Sequence, residues 1–278
     1  MRPPAVDAHF HLWRYRAPEF PWISDQMGAL QRDVLAEEAA REFAHAGVRG
    51  GVVVQARQAL DENDFLLAQQ AACSAILGVV GWVDLRAPDV GSVLERYAGR
   101  LVGVRHFVQS EPEDDFLLRA DFQRGVALLD GFGLSYDLLI VPRQLPAACA
   151  FADRNPGLRL VLDHLAKPPI AAGGIEPWAT DLRALARRPH VFLKASGLVT
   201  EADWAGWTPD QLRRYLDVAF EAFGARRILF GSDFPVCLVA ASYPRVAAII
   251  DDYTARLSEA ERAAVLADNA IAFYRLRV

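Results

Sequence analysis

The chain has 278 residues, 53% of them hydrophobic, with 30 basic and 35 acidic side chains and a net charge of −5. Neither sign forms a long run, which argues against a nucleic-acid backbone or an anionic membrane surface as partner. No apolar stretch reaches the ~18 residues of a membrane helix, no secretory leader precedes Val6, and three cysteines without CxxC spacing (Cys73, Cys149, Cys237) read as reduced, so a cytoplasmic protein is expected.

Apolar runs rich in Val, Ile and Leu recur along the chain, each followed by a segment of helical periodicity. Strands are predicted at 5–11, 50–56, 76–84, 101–107, 135–141, 158–164, 191–196 and 228–233. Helices are predicted at 34–46, 62–74, 89–98, 121–131, 144–154, 177–187, 209–223 and 243–257, with a last one at 259–273. Strict alternation implies a parallel sheet, and near-continuous apolar strands imply burial on both faces. Eight such units favour a closed (β/α)8 TIM barrel, one domain over 1–278 with an extra C-terminal helix, rather than an open doubly wound sheet. Helix-to-strand links are short and glycine-marked (HAGVRG, GFGLS, NPGLR), whereas strand-to-helix links at 12–33, 108–120, 165–176 and 197–208 are long. In a barrel the long links share the C-terminal mouth, where active sites are built.

Reactive side chains gather at those strand ends: His9 and His11, Gln55, Asp84, Arg105 and His106, Asp163 and His164, Lys194 and Ser196, and Asp233, with Asp137 inside strand five. In VDAHFHLW (6–13), two-residue strand periodicity puts Asp7, His9 and His11 on one face and Val6, Ala8, Phe10 and Leu12 on the other. His-x-His alone suits a structural or substrate-contact role as well as a metal. Joined by Asp233 of ILFGSDFPV, it offers three ligands (His9, His11, Asp233) for one zinc ion with a fourth position open to water.

His164 beside Asp233 suits holding a water or the substrate, while Asp163, of opposite parity, is expected to face the helices or anchor a loop. Parity allows only one of Arg105 and His106 to face the axis, and an inward Arg105 would be a fixed cation for a carbonyl. Lys194 in an apolar strand calls for a partner, which favours a site role. Trp13, Trp82, Trp204 and Trp207 fall at strand ends or in mouth loops, where an indole can lie against a sugar-like ring. Asp7 and Asp84 are read as supporting or structural.

The stretches VDAHFHLW (6–13), GVRHFVQSEPEDDFLLR (103–119), YDLLI (136–140), VLDHLAKP (161–168), KASGL (194–198), FGSDFPV (230–236) and NAIAFYRL (269–276) run through nearly the whole chain in order. Together they resemble the amidohydrolase superfamily, specifically the amidohydrolase-2 group of sugar-lactone hydrolases. The resemblance implies a (β/α)8 barrel, agreeing with the strand count. Superfamily members with one or two metals commonly use the strand-one histidines, an acid or lysine on strand four, histidines on strands five and six and the strand-eight aspartate. Strand four here offers Arg105 and His106, and strand five Tyr136 and Asp137, so a binuclear centre is not expected.

Within the lactonase group the resemblance implies hydrolysis without a required metal. The expected reaction opens an L-fucono- or L-rhamnono-lactone type of substrate to its aldonic acid, as in carbohydrate catabolism. Asp233 would be general base on water, His9, His11 and Arg105 would polarise the carbonyl, and His164 would assist. His106, Trp13, Gln55, Trp82, Lys194 and Trp207 are the expected substrate contacts. A pyrone dicarboxylate lactonase, a zinc-dependent amidohydrolase or decarboxylase, and a non-catalytic sugar-binding barrel are the competing readings.

Overall fold

Parallel strands cannot be joined by tight turns, so each crossover must carry a helix over the sheet. The computed structural model describes residues 5–278, and eight strands follow that rule among them: β1 (Ala5–Phe10), β2 (Val48–Val54), β3 (Ile76–Gly81), β4 (Gly103–His106), β5 (Ser135–Leu138), β6 (Leu160–Leu162), β7 (Val191–Ala195) and β8 (Ile228–Phe230). They pair in sequence order, every ladder parallel. The ring closes just beyond β8, where Asp233 N–H donates to His9 O (2.8 Å) and His11 N–H to Phe234 O (2.6 Å). The result is a single-domain (β/α)8 barrel.

The crossover helices are α1 (Ala36–Ala46), α2 (Leu60–Ala72), α3 (Val90–Tyr97), α4 (Ala120–Val126), α5 (Leu145–Arg154), α6 (Trp178–Ala186) and α7 (Pro209–Phe223), with α8 (Tyr243–Thr254) after β8. Several strands are shorter at their C-terminal ends than expected: β3 stops at Gly81, β5 at Leu138 and β6 at Leu162. At the end of β6 it is Asp163 and His164 that leave the ladder. The predicted 259–273 helix is also divided, into α9 (Glu259–Ala263), a π-helical turn (Ala264–Asp268) and α10 (Asn269–Tyr274). Cys73, Cys149 and Cys237 are free, and no helix among the described residues is long and apolar enough to cross a membrane.

Outward residues such as Phe10, Val53, Val79, Val104, Leu162 and Phe230 join the helix-facing core. Inward Val6, Ala8, Val52, Val54, Val80, Val161 and Leu229 form a separate cluster with Ala267, Ala270, Phe273, Tyr274 and Leu276. The last segment thus plugs the N-terminal end of the barrel.

The expected single face for Asp7, His9 and His11 is not what forms. The register of β1 against β2 shifts between Asp7 and Phe10, so the inward line passes from Ala8 to His9. Such an irregularity re-aims a side chain. Asp7 instead accepts from the backbone N–H of His9 (3.0 Å) and Ser232 (2.9 Å) and from Tyr243 OH (3.0 Å), bracing β1 to the chain after β8 and to α8. Burial raises its carboxyl to about 6.

Phe273 tests the plug, being buried with its ring 5.0 Å from that of Phe192 and 4.8 Å from that of Tyr274. Phe273→Ala is expected to cost about 3–5 kcal/mol in urea unfolding. A change below about 1 kcal/mol would make the segment peripheral.

Candidate active site

The strand ends bring a charged group together inside a shell of apolar residues. His9, Asp137, Asp163 and Lys194 are fully buried, and Arg105, His11, His164, Ser196 and Asp233 nearly so. Both Asp163 and His164 turn inward, contrary to the parity expectation for Asp163. Asp163 follows Val161 on the inward face of β6, and His164 joins it because the backbone after β6 is left-handed, with φ of 51, 55, 57 and 53° at His164, Leu165, Ala166 and Lys167. Two-residue alternation ends where that turn begins. Each non-glycine residue there costs about 1–2 kcal/mol, a cost of the kind that persists at functional sites. Gly197, itself at φ 68°, leaves room for the imidazole: a Cβ there would meet His164 Nδ1 at 2.7 Å. That ring nitrogen lies 2.9 Å from Ser196 Oγ.

Lys194 forms the lower tier. Its Nζ donates to Asp137 Oδ2 (2.6 Å) and lies 3.0 Å from both Asp163 Oδ1 and His9 Nδ1, so its charge is enclosed by three polar neighbours. Asp137 Oδ2 also accepts from Tyr274 OH (2.7 Å), tying the plug to this tier. Arg105 NH1 donates to Asp163 Oδ2 (3.0 Å) and lies 3.2 Å from His9 Nε2, while NH2 donates to the Gln55 carbonyl. Two cations thus face two carboxylates. Burial opposes the charge on Asp163, but Lys194, His9 and Arg105 hold it well below the usual carboxylate range. For Asp137, burial outweighs Lys194 and raises the carboxyl. Burial and then Lys194 push His9 well below the ordinary imidazole range, keeping it neutral.

Above this tier lies a cavity of about 210 Å³, lined by His11, Arg105, His164 and Asp233. Its walls come from the mouth loops: Trp22 and Met27 after β1, Ala56 after β2, Phe107, Gln109 and Ser110 after β4, Leu139 after β5, Lys167 after β6, Thr200 after β7 and Val236 after β8. It is smaller than the ~300–1,000 Å³ of drug-sized pockets, and so suits a compact ligand. His9 lies directly below, its Nε2 3.2 Å from His11 Nε2. Burial opposes ionisation of Asp233, yet His164, His11 and Lys167 draw its carboxyl below the usual range. Burial lowers His164 to about 4. At neutral pH the site holds a carboxylate beside neutral imidazoles.

Other expected contacts lie elsewhere. Lys194 does not line the cavity, and its ammonium faces Asp137, Asp163 and His9 instead. Gln55 lies behind Arg105, with Nε2 3.3 Å from Arg105 O. His106, on the opposite parity to Arg105, lies 2.7 Å from Glu111 Oε1 and stacks on Phe116. Trp13 packs edge-on to Trp22 and donates to Arg32 O (2.9 Å). Trp82 is strapped through its backbone by Asn63, Trp204 donates to Thr200 O, and Trp207 donates to Ala240 O beneath Arg245. The indole that lines the cavity is Trp22, fixed by its bond to Ala56 O (2.8 Å). The signal for it was its place in the longest strand-to-helix link.

The same side chains fit a metal ion. Donor atoms of His9, His164 and Asp233 all lie within 4.8 Å of one another, and His11 joins them in space. The Asp233 Oδ1 distances are 3.3 Å to His11 Nε2, 3.8 Å to His9 Nε2 and 3.9 Å to His164 Nε2. Zinc bonds of ~2.0–2.1 Å in a tetrahedron place ligands about 3.3–3.4 Å apart. His11 Nδ1 lies 2.7 Å from Val54 O, which can only accept, so a neutral His11 turns its Nε2 lone pair toward Asp233. Two acceptors facing each other call for a proton or a cation between them, and a carbonyl partner on the remote nitrogen is usual for a metal-binding imidazole.

A family model described as Amidohydrolase matches residues 6–276. The chain is 44% identical to an L-fucono-1,5-lactonase of Burkholderia multivorans, over 98% of this chain and 96% of the relative. It is 35% identical to an L-fucono-1,5-lactonase of Burkholderia ambifaria, over 98% and 95% respectively. Among solved structures, a crystal structure of an amidohydrolase from Burkholderia multivorans with bound zinc aligns with a TM-score of 0.95 at 42% identity, covering 99% of this chain and 100% of that one.

Removing one cation from the lower tier leaves buried carboxylates uncompensated, so Lys194→Met is expected to lose about 3–5 kcal/mol of stability. Adding Asp137→Asn should recover part of that loss. Equal unfolding midpoints for Lys194→Met and the double variant would show that the pair is not coupled.

Proposed function

The chain belongs to the Amidohydrolase family, and from that premise we propose that it hydrolyses a sugar-derived lactone, of L-fucono or L-rhamnono type, to the aldonic acid. The observation that carries this reading is an ionised, buried Asp233 facing the same cavity as a rigidly held Arg105. A base and a fixed positive charge in one small cavity are what carbonyl hydration requires. The similarity to two L-fucono-1,5-lactonases supports the choice of ester over amide. The mixed lining suits a 6-deoxy sugar lactone, with Trp22, Met27, Phe107 and Leu139 for a methyl group and polar tips for hydroxyls.

In the proposed course, Asp233 takes a proton from water as the oxygen attacks the lactone carbonyl. Negative charge then develops on the carbonyl oxygen, and Arg105 meets it without reorienting, because Asp163 and the Gln55 carbonyl already fix the guanidinium while its Nε–H has no partner. Collapse of the tetrahedral intermediate breaks the bond to the ring oxygen, which takes the proton back from Asp233, with His164 able to relay it. His11 can donate to the oxyanion only as the imidazolium, since its Nδ1–H is engaged by Val54 O. When bound, a zinc ion held by Asp233 with His9, His164 and His11 would supply Lewis-acid polarisation and a more acidic water. Base and oxyanion partner are complete in Asp233 and Arg105, which supports turnover that does not require the metal. Three free cysteines support a cytoplasmic setting, with a small neutral lactone as partner.

Acid release from a panel of sugar lactones, followed with a pH indicator on chelator-treated protein and after zinc is restored, tests the reading. Turnover that survives chelation is expected; activity only with zinc would overturn the metal-independent course, and no acid release from any lactone would overturn the function. Asp233→Asn should lower kcat by about 10²–10⁴, and Arg105→Lys by about 10²–10³, with thermal unfolding confirming that each variant is folded at the assay temperature.

Asp233 must be ionised to act, and its neighbours draw its carboxyl below the usual carboxylate value, so activity is present above that lowered pKa and lost as pH falls through it. With His164 protonating near about 4, kcat/KM should stay level from neutral pH to about pH 5 and fall below about pH 4. A fall centred near pH 6.5 would point to a different titrating group.

A further inference from the structure

Most polar tips in the cavity wall are already engaged. Lys167 Nζ donates to Glu201 (3.0 Å), Trp22 Nε1 to Ala56 O (2.8 Å), and His164 Nδ1 lies at Ser196 Oγ (2.9 Å). Among the described residues three that line the cavity carry a buried polar atom without a partner: Arg105 Nε, Gln109 Oε1 and Thr200 Oγ1. The first belongs to the charge that meets the oxyanion; the other two have no role in the chemistry derived above.

Both are held firmly by their backbones. Gln109 N–H donates to Leu139 O (2.9 Å), and the Thr200 carbonyl accepts from Trp204 Nε1 (2.9 Å). The neighbouring Glu201 is tied at both ends, by Lys167 and by Ala171 N–H on its carbonyl (3.0 Å). What is left unpaired is therefore the side-chain tip, not a loose loop. Sheltered polar groups are nearly always paired, and one that is not calls for an explanation. A carboxamide oxygen accepts from a hydroxyl, and a threonine hydroxyl both donates and accepts. Gln109 follows β4 and Thr200 follows β7, three strands apart in the ring of eight, so the two residues border the cavity from different sides.

We propose that Gln109 and Thr200 determine specificity by each pairing with a different ring hydroxyl of the lactone, fixing how the ring lies against Asp233 and Arg105. This rests on the lactone reading above. Discrimination follows because a ligand lacking the matching hydroxyl leaves a sheltered tip unpaired, which is how sites built for a hydroxyl reject the analogue without it.

The test compares kcat/KM of the parent protein, Thr200→Val and Gln109→Leu on one aldonolactone that the parent hydrolyses and on its single-deoxy analogues. Each variant is expected to lose about ten- to a hundredfold on the full lactone and to become indifferent to removal of one hydroxyl, a different one for each variant. Thr200→Ser, which keeps the hydroxyl, should restore the discrimination lost in Thr200→Val. Thermal midpoints confirm folding, and Gln109→Ala takes the place of Gln109→Leu if the latter does not fold. If the parent hydrolyses lactones but the variants rank the deoxy analogues as it does, the assignment of these two residues is overturned and the lactonase reading stands. A parent that hydrolyses no lactone overturns both.

Discussion

The buried pairing of Lys194 with Asp137 and Asp163, completed by Arg105, is the constraint on which the rest of the site depends. Charges removed from water are tolerated only with partners in place, and here each partner comes from a different strand. β4, β5, β7 and the turn after β6 must all be in register before this tier can form. It therefore specifies one arrangement of the barrel interior and sets the height at which chemistry can begin. Below it the interior is hydrocarbon closed by Phe273 and Tyr274; above it the cavity opens.

This tier also governs the imidazole above it. His9 has one N–H and one lone pair when neutral, and it faces Lys194 on Nδ1 and Arg105 on Nε2. Two donors compete for a single lone pair, and both oppose a second proton. A neutral His9 held in this way can contact His11 or a metal ion, but it is a poor proton carrier. Proton traffic falls instead to Asp233, whose charge is favoured by its neighbours. The same arrangement explains how one constellation suits both a metal and metal-independent hydrolysis: the ligand set and the fixed guanidinium occupy one cavity.

Backbone conformation, rather than sequence spacing, then places the groups that work together. Asp163 keeps the inward face of Val161 and joins the charged tier, and the left-handed run from His164 to Lys167 turns the very next side chain, His164, inward as well, into the cavity. The register shift in β1 does something similar, passing the inward position from Ala8 to His9 and leaving Asp7 to brace the closure of the ring. Asp233, at φ 59°, lies on the stretch that closes the barrel, so the proposed base is fixed by the bonds that join β8 to β1.

By itself the sequence determined the alternation of eight strands and helices, the long links at one end of the barrel, and the gathering of His9, His11, Arg105, His164 and Asp233 there. These follow from hydrophobic period and from which residue types end each apolar run, both local properties. It also identified Arg105 and His106 as alternatives, because parity admits only one of them to the axis. Only the tertiary structure decided that Arg105 is the inward one, that Asp163 joins the interior, that Lys194 lies beneath His9, and that Trp22 rather than Trp13, Trp82 or Trp207 faces the cavity. Those outcomes depend on which face of each strand the closed ring turns inward and on loops folded over the mouth. Neither is encoded in a period of two or 3.6, since each is fixed by contacts between residues tens to hundreds of positions apart.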